Sequence, residues 1–241
     1  MGILFDSLST GGPGSGKGTQ CERLLDAANL TKEKSSLPSH IYHVNVGGLL
    51  REAQQEYRKK LAEKADLTGS HLAKAGPVLE EMMSTGNILP SWVTVTILKG
   101  HLERIADEVA TGKHHIEGRP APAILIDGFP RSEENFVEFE RLIGPARRLV
   151  VVDVDDDAMV KRVLKRGESS GRADDQSIDT IRNRLRVFSE ETGAVINKFN
   201  TFDVNAASID APRSAIKIDG NRVPADVAVD FTKAFLRLVN L

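Results

Sequence analysis

The chain is poor in cysteine: Cys21 is the one such residue among 241. An intrachain disulfide is therefore excluded, which suits a reducing compartment. Excess charge is also scarce, with a net of −2. That balance lacks the basic footprint of a protein that binds nucleic acid or an anionic membrane surface. No apolar run reaches the length a bilayer demands, so no membrane partner is expected. Met1 to Thr10 has neither a charged lead nor a cleavable apolar stretch, and Asp6 breaks the myristoylation pattern after Gly2. A cytoplasmic protein is the expectation. No internal repeat is visible, and the length suits a single domain over 1–241 with one sizeable core.

What is present is concentrated first in Gly11-Gly12-Pro13-Gly14-Ser15-Gly16-Lys17-Gly18-Thr19-Gln20. From Gly11 this fits the phosphate-binding pattern G-x-x-x-x-G-K, with Gly18-Thr19 where one Ser or Thr usually follows the lysine. Glycines let the backbone turn tightly and approach a ligand, and successive N–H groups then form a concavity for anionic oxygens. The following helix adds its positive N-terminal end, and Lys17 adds a point charge for the outer phosphates. A glycine-rich surface turn would not need so long and ordered a string.

Further along, Ile3-Leu4-Phe5 predicts a strand feeding this loop, although Asp6, Ser7, Ser9 and Thr10 make its end polar for a central parallel strand. His40 to Val44 predicts a short strand, and Asn45-Val46-Gly47-Gly48 a turn into a helix beginning at Leu49. Helical patterns continue to about Leu67, from Ser70 through Met83, and from Trp92 to about Ala110. Thr111 to Pro122 reads as a polar loop. Its adjacent His114 and His115 suggest no third metal ligand nearby, so a solvated loop is expected. The wholly apolar Ala123 to Ile126 predicts a buried strand that delivers Asp127 to its C-terminal edge, and Leu149 to Val154 another. A helix from Asp156 to Arg166, a loop from Gly167 to Asp175 and an amphipathic helix from Ile181 to about Asn197 come next. Thr201 to Ser214 reads as an irregular surface loop and Ile216 to Asp219 as the last strand. Val227, Phe231, Ala234, Phe235 and Leu238 form the apolar stripe of a final helix. Alternating strands and helices mean an α/β parallel sheet with ligands at the strands' C-terminal ends.

With Gly11 to Gln20, Val46 to Arg51, Gly86 to Pro90, Ile126 to Arg131, Arg166 to Asp175 and Lys217 to Gly220 in place, the chain resembles the adenylate kinase family, which includes the UMP-CMP kinases. The resemblance covers nearly the whole chain. It implies a P-loop parallel sheet flanked by helices, a small helical subdomain at 45–90 that holds a nucleoside monophosphate, and a short lid at 166–176. One cysteine cannot build the four-cysteine zinc cluster of longer lids. The partners implied are ATP, with Mg²⁺ as cofactor, and a nucleoside monophosphate, bound by a monomer.

By the same resemblance, Gly12, Pro13, Gly14, Ser15, Gly16, Lys17, Gly18 and Thr19 hold the donor phosphates, and Arg162 lies against the donor adenine with Gly220. Arg166, Arg172 and Arg184 close on the phosphates, with Arg182 or Arg186 as alternatives for the place of Arg184, and Asp174 helps close the lid. Arg51 and Arg131 fork the acceptor phosphate, a bidentate task that suits guanidinium. Val46, Asn87, Ile88, Leu89, Gly128, Phe129 and Asn135, with Arg172 and Arg184, complete the acceptor site, and Asp127 orients water around the metal. Three departures stand out: Gly48 replaces an acidic residue, Asn45 and Val46 replace small residues, and Asn135 matches UMP-CMP kinases where adenylate kinases carry Gln. The expected activity is phosphoryl transfer from ATP, with AMP narrowly ahead of UMP or CMP as acceptor. A nucleotide-binding relative with little catalysis is the other class, motivated by Gly48 and the polar first strand.

Overall fold

The computed structural model describes residues 7–30, 37–83, 88–170, 175 and 177–239. Its centre is one parallel sheet in the order β2-β3-β1-β4-β6-β5. The strands are β1 (Ser7–Thr10), β2 (Ile41–Asn45), β3 (Ala123–Asp127), β4 (Arg148–Asp153), β5 (Asn200–Asp203) and β6 (Ser214–Asp219). Because side chains alternate across a strand, each buried strand feeds two cores. Ile124 and Ile126 of β3 with Leu149 and Val151 of β4 enter one. Leu125, Val150 and Val152 enter the other. The first core is covered by α2 (Val46–Ala62), α3 (His71–Met82), α4 (Ser91–Ala110), α5 (Glu133–Leu142) and α8 (Gly193–Ile196). The second is covered by α1 (Lys17–Leu30), α6 (Asp156–Ser170), α7 (Ile178–Val187) and α9 (Pro224–Val239). Val227, Phe231, Ala234, Phe235 and Leu238 of α9 are buried as a stripe, as their spacing predicts.

Three expectations need correction, whereas the first strand among the described residues is the polar end of the expected one, Ser7-Leu8-Ser9-Thr10, paired to β3 and β4 on its two sides. Ser9 and Thr10 are buried, and the backbone ladder rather than apolar side chains holds them there; Ile3 to Phe5 lie outside the described residues. Gly47 and Gly48 are not a turn: α2 starts at Val46, because Asn45 caps it. The helix expected to end at Arg166 runs on to Ser170. A β-carbon on Gly167 would lie 2.5 Å from the Asp175 carbonyl oxygen, so that close approach requires glycine. Finally, the stretch from Thr201 holds β5, a polar strand recruited by its ladder to β6, with Phe202 packed against the second core. The helix from Ile181 also differs in detail. It begins at Ile178 and is interrupted by a π-helical turn, Phe188–Thr192.

Candidate active site

β1 ends in the glycine loop, and α1 begins at Lys17. Gly14 and Gly16 have φ of 82° and 87°, the left-handed region that glycine enters freely. Gly14 also sits so close to α6 that a β-carbon would meet the Met159 carbonyl oxygen at 2.6 Å. The loop folds back on itself through Ser15 N–H donating to Gly12 O at 3.1 Å. Lys17 Nζ donates to the same carbonyl at 3.4 Å. Burial pushes the Lys17 ammonium down to about 8, with Asp127 opposing the shift.

Next to β1 in the sheet, β3 brings Asp127 to its C-terminal edge, and Gly128 N–H donates to Ser9 O at 2.9 Å. Asp127 is buried, and its Oδ1 has no hydrogen-bond partner among the described residues. Its Oδ2 lies 3.4 Å from His43 Nε2 and accepts from Asn45 Nδ2 at 3.5 Å. The other end of the Asn45 amide, Oδ1, accepts from Gly48 N–H at 2.7 Å and caps α2. One short side chain thus joins the carboxylate to the helix that carries Arg51. A β-carbon on Gly47 would lie 3.3 Å from Arg131 Nη2 and 3.5 Å from Arg51 Nη1, so the two guanidinium groups converge over that glycine. Arg131 is fixed through Nε to Gly128 O at 3.0 Å, and its carbonyl accepts from Thr192 Oγ1 at 2.8 Å. Thr192 reaches it from the π-helical turn, a distortion found often at functional sites.

Asn135 lies in the first turn of α5, capped by Ser132. Its Nδ2 donates to Ser91 Oγ at 2.8 Å, and its Oδ1 accepts from Arg131 N–H at 3.4 Å. On the opposite wall Arg162 donates to Gly220 O at 3.1 Å. Arg166 grips the fully buried Asp175 carboxylate with two bonds of 2.6 and 2.8 Å, and Arg184 adds a third of 2.7 Å. Burial alone would raise the Asp175 carboxyl, but the bonds and charges of Arg166 and Arg184 hold it below the usual range.

Lys17, Arg51, Asp127, Arg131, Arg162, Arg166 and Arg184 line one cavity of about 900 Å³. Of the expected residues, Pro13, Gly14, Gly16, Lys17, Gly18, Thr19, Val46, Arg51, Ile88, Leu89, Asp127, Gly128, Phe129, Arg131, Asn135, Arg162, Arg166 and Arg184 face it. Gly12 and Ser15 form the frame of the loop behind that surface, with Met159 and Phe188 packed on Gly12. Arg182 and Arg186 are exposed instead, and Arg186 pairs with Glu190. Asn87, Arg172 and Asp174 lie outside the described residues. Sequence reasoning missed Asp175 as the arginine clamp, and with it His43, Ser91 and Thr192. Arg166, Asp175 and Arg184 stand nine residues apart each time, a spacing that matches no helix or strand period and so did not mark the clamp. Nothing in the sequence signalled Thr192.

A glycine loop at a helix N-terminus, facing convergent arginines across a carboxylate, is built to hold phosphates from two sides. A family model described as adenylate kinase matches residues 9–204. The chain belongs to the adenylate kinase family. Among its relatives, a uridylate kinase from Saccharomyces cerevisiae is 34% identical over 191 residues, 79% of this chain and 76% of that one. A UMP-CMP kinase from Prunus armeniaca is 37% identical over 200 residues, 83% and 68% of the two chains. Adenylate kinase isoenzyme 1 from Sus scrofa is 34% identical over 186 residues, 77% and 76%. As a member of the adenylate kinase family the protein is a nucleoside monophosphate kinase. Among the described residues no helix is long and apolar enough to cross a membrane.

Proposed function

We propose that this kinase transfers the terminal phosphoryl group of Mg-ATP to AMP, giving two molecules of ADP. The observation that carries the reading is the shared cavity, where Lys17 and the glycine loop face Arg51 and Arg131 across Asp127. Phosphoryl transfer needs two nucleotides in line and positive charge around the moving group. Lys17 and the loop amides hold the donor. Arg51 and Arg131 hold the acceptor phosphate, so its oxygen points at the donor's last phosphorus. Arg166 and Arg184, preset by Asp175, flank the group in transit, and residues 45–90 and 166–176 act as acceptor subdomain and lid. The buried Oδ1 of Asp127, without a partner among the described residues, is a hard oxygen suited to the water shell of Mg²⁺, which neutralises phosphate charge when bound with ATP. We place the protein in the cytoplasm as a monomer.

A second reading, UMP or CMP as acceptor, is favoured by Asn135. Its short amide is buried and already bonded to Ser91 and the Arg131 backbone, which leaves it less reach towards a purine edge. A coupled assay with ATP and each monophosphate in turn decides. The expected result is a larger kcat/KM for AMP; a larger value for UMP or CMP selects the second reading. No transfer to any of them rejects both. Lys17→Met should lower turnover at least about a hundredfold while the fold stays intact. Near-normal single-turnover transfer in that variant would sink the donor assignment.

A further inference from the structure

Cys21, His43 and Asp127 come from three elements, α1, β2 and β3, that touch behind the floor of the cavity. The thiol sulfur, an imidazole nitrogen and a carboxylate oxygen all lie within 4.8 Å of one another. Cys21 and Asp127 are buried and His43 is half-buried. The phosphate reading uses Asp127 but leaves the other two side chains without a chemical task. We propose that these residues form an inhibitory site for a thiophilic divalent cation of the Zn²⁺ type.

The geometry is close to what such an ion needs. Bonds of about 2.0–2.3 Å from sulfur, nitrogen and oxygen put neighbouring ligands of a tetrahedron roughly 3.4–3.6 Å apart. His43 Nε2 and Asp127 Oδ2 already stand 3.4 Å apart, and small side-chain rotations bring the sulfur in. The buried Oδ1 of Asp127, read above as facing the water shell of Mg²⁺, has no partner among the described residues, so the carboxylate has a free oxygen for either cation. Three protein ligands leave a fourth position for water or a phosphate oxygen, and Asp127 opens onto the cavity through which the ion would enter. The donor set also selects the ion. Mg²⁺ takes oxygen ligands in octahedral geometry, whereas thiolate with imidazole suits Zn²⁺.

In the metal-free protein, burial and the nearby Asp127 charge push the Cys21 thiol well above its ordinary pKa. The group there is an S–H. On binding, the cation replaces that proton, which leaves to solvent, and a sulfur–metal bond forms with no change of oxidation state. Lys17 and Arg131 add positive charge beside Asp127 and oppose the ion, so the thiolate is needed for binding. Occupancy would take Asp127 away from the Mg-ATP water shell. That inhibitory part rests on the proposed function; the binding itself does not.

The test uses the full chain without nucleotide and Co²⁺ as the probe. One equivalent should produce a near-ultraviolet thiolate-to-cobalt band and visible bands of tetrahedral cobalt, both bleached by Zn²⁺. Cys21→Ser and Cys21→Ala should each lose the thiolate band, and His43→Gln should weaken Co²⁺ binding by about tenfold or more. In the kinase assay, the Zn²⁺ concentration for half-inhibition should rise at least about tenfold in Cys21→Ser relative to the parent. No thiolate band in the parent, a band that survives loss of Cys21, or equal zinc inhibition with and without the thiol would overturn the proposal. A chain that binds Co²⁺ in this way yet phosphorylates no monophosphate would reject the kinase reading and leave the metal site standing.

Discussion

Asp175 has no side-chain exposure and holds two arginines whose own tips reach the cavity. Removing its charge takes the buried carboxylate out from between Arg166 and Arg184. Asp175→Asn should therefore destabilise the protein by about 3 kcal/mol, the lower end for a broken buried pair because the arginines are partly exposed. Urea unfolding would measure it. Activity should fall through kcat rather than through KM for either nucleotide, since the arginines keep their charge but lose their aim. The carboxyl is held low in the fold, so its contribution is full above the unfolded pKa and is lost as pH falls through the folded one. Lys17 has the opposite bearing. Its pKa of about 8 is below that of the unfolded chain, so between about 8 and 10.5 the unfolded state binds more protons and stability rises with pH. The same deprotonation removes the charge proposed to hold ATP. Above pH 8, kcat/KM for ATP should drop about tenfold per unit while the urea midpoint climbs; a flat kcat/KM profile between pH 8 and 10 would contradict the buried-ammonium picture.

The start of α2 shows what was legible in the sequence and what was not. Val46 to Arg51 marked the helix proposed to hold the acceptor, and Arg51 does face the cavity. The two glycines looked like a turn because their propensity favours one, yet Asn45 overrides it with a side-chain cap of 2.7 Å. Asn45→Ala should cost about 1 kcal/mol and raise KM for the acceptor, because Arg51 rides on that helix; Asn45→Asp keeps a cap and should spare stability. Gly48→Asp is also permitted: a β-carbon there meets Asn45 Oδ1 at 3.4 Å, and the backbone is helical. An acidic residue in the first turn should stabilise α2 by about 0.5–1 kcal/mol. If the missing carboxylate limits the reaction, turnover with Mg²⁺ should rise by up to about tenfold, equivalent to about 1.4 kcal/mol. A folded, stabilised Gly48→Asp protein with unchanged turnover would remove the carboxylate from that account. The Asp175 clamp was hidden for a different reason: it is a tertiary contact between α6 and α7, and adjacent carboxylates at 174 and 175 look alike in sequence.

At the scale of the molecule, the buried strands and the final helix were legible because long apolar runs and a helical stripe report burial directly. Sheet order was not, since neighbours such as β1 and β3 are far apart in the chain. That order sets the glycine loop after β1 and the loop from Gly128 to Arg131 after β3 side by side, tied by Gly128 and Ser9. β5 was illegible because Asn200 to Asp203 has no apolar alternation and owes its form to β6. Its position has a consequence for how molecules meet one another. β6 is rich in buried Ala215, Ile216 and Ile218, and with its outer backbone bare it would be a template for another chain. The four residues of β5, three of them polar, occupy that edge and end the sheet in a short, largely exposed rim. Prolines at Thr201 and Phe202 should unpair the rim, and sedimentation velocity should then show mass growing with concentration, while the parent should keep one mass throughout. If the unpaired variant stays the same size at every concentration, β5 is mere trim. If it grows, the segment that looked like a surface loop is what keeps this kinase dispersed in a crowded solution.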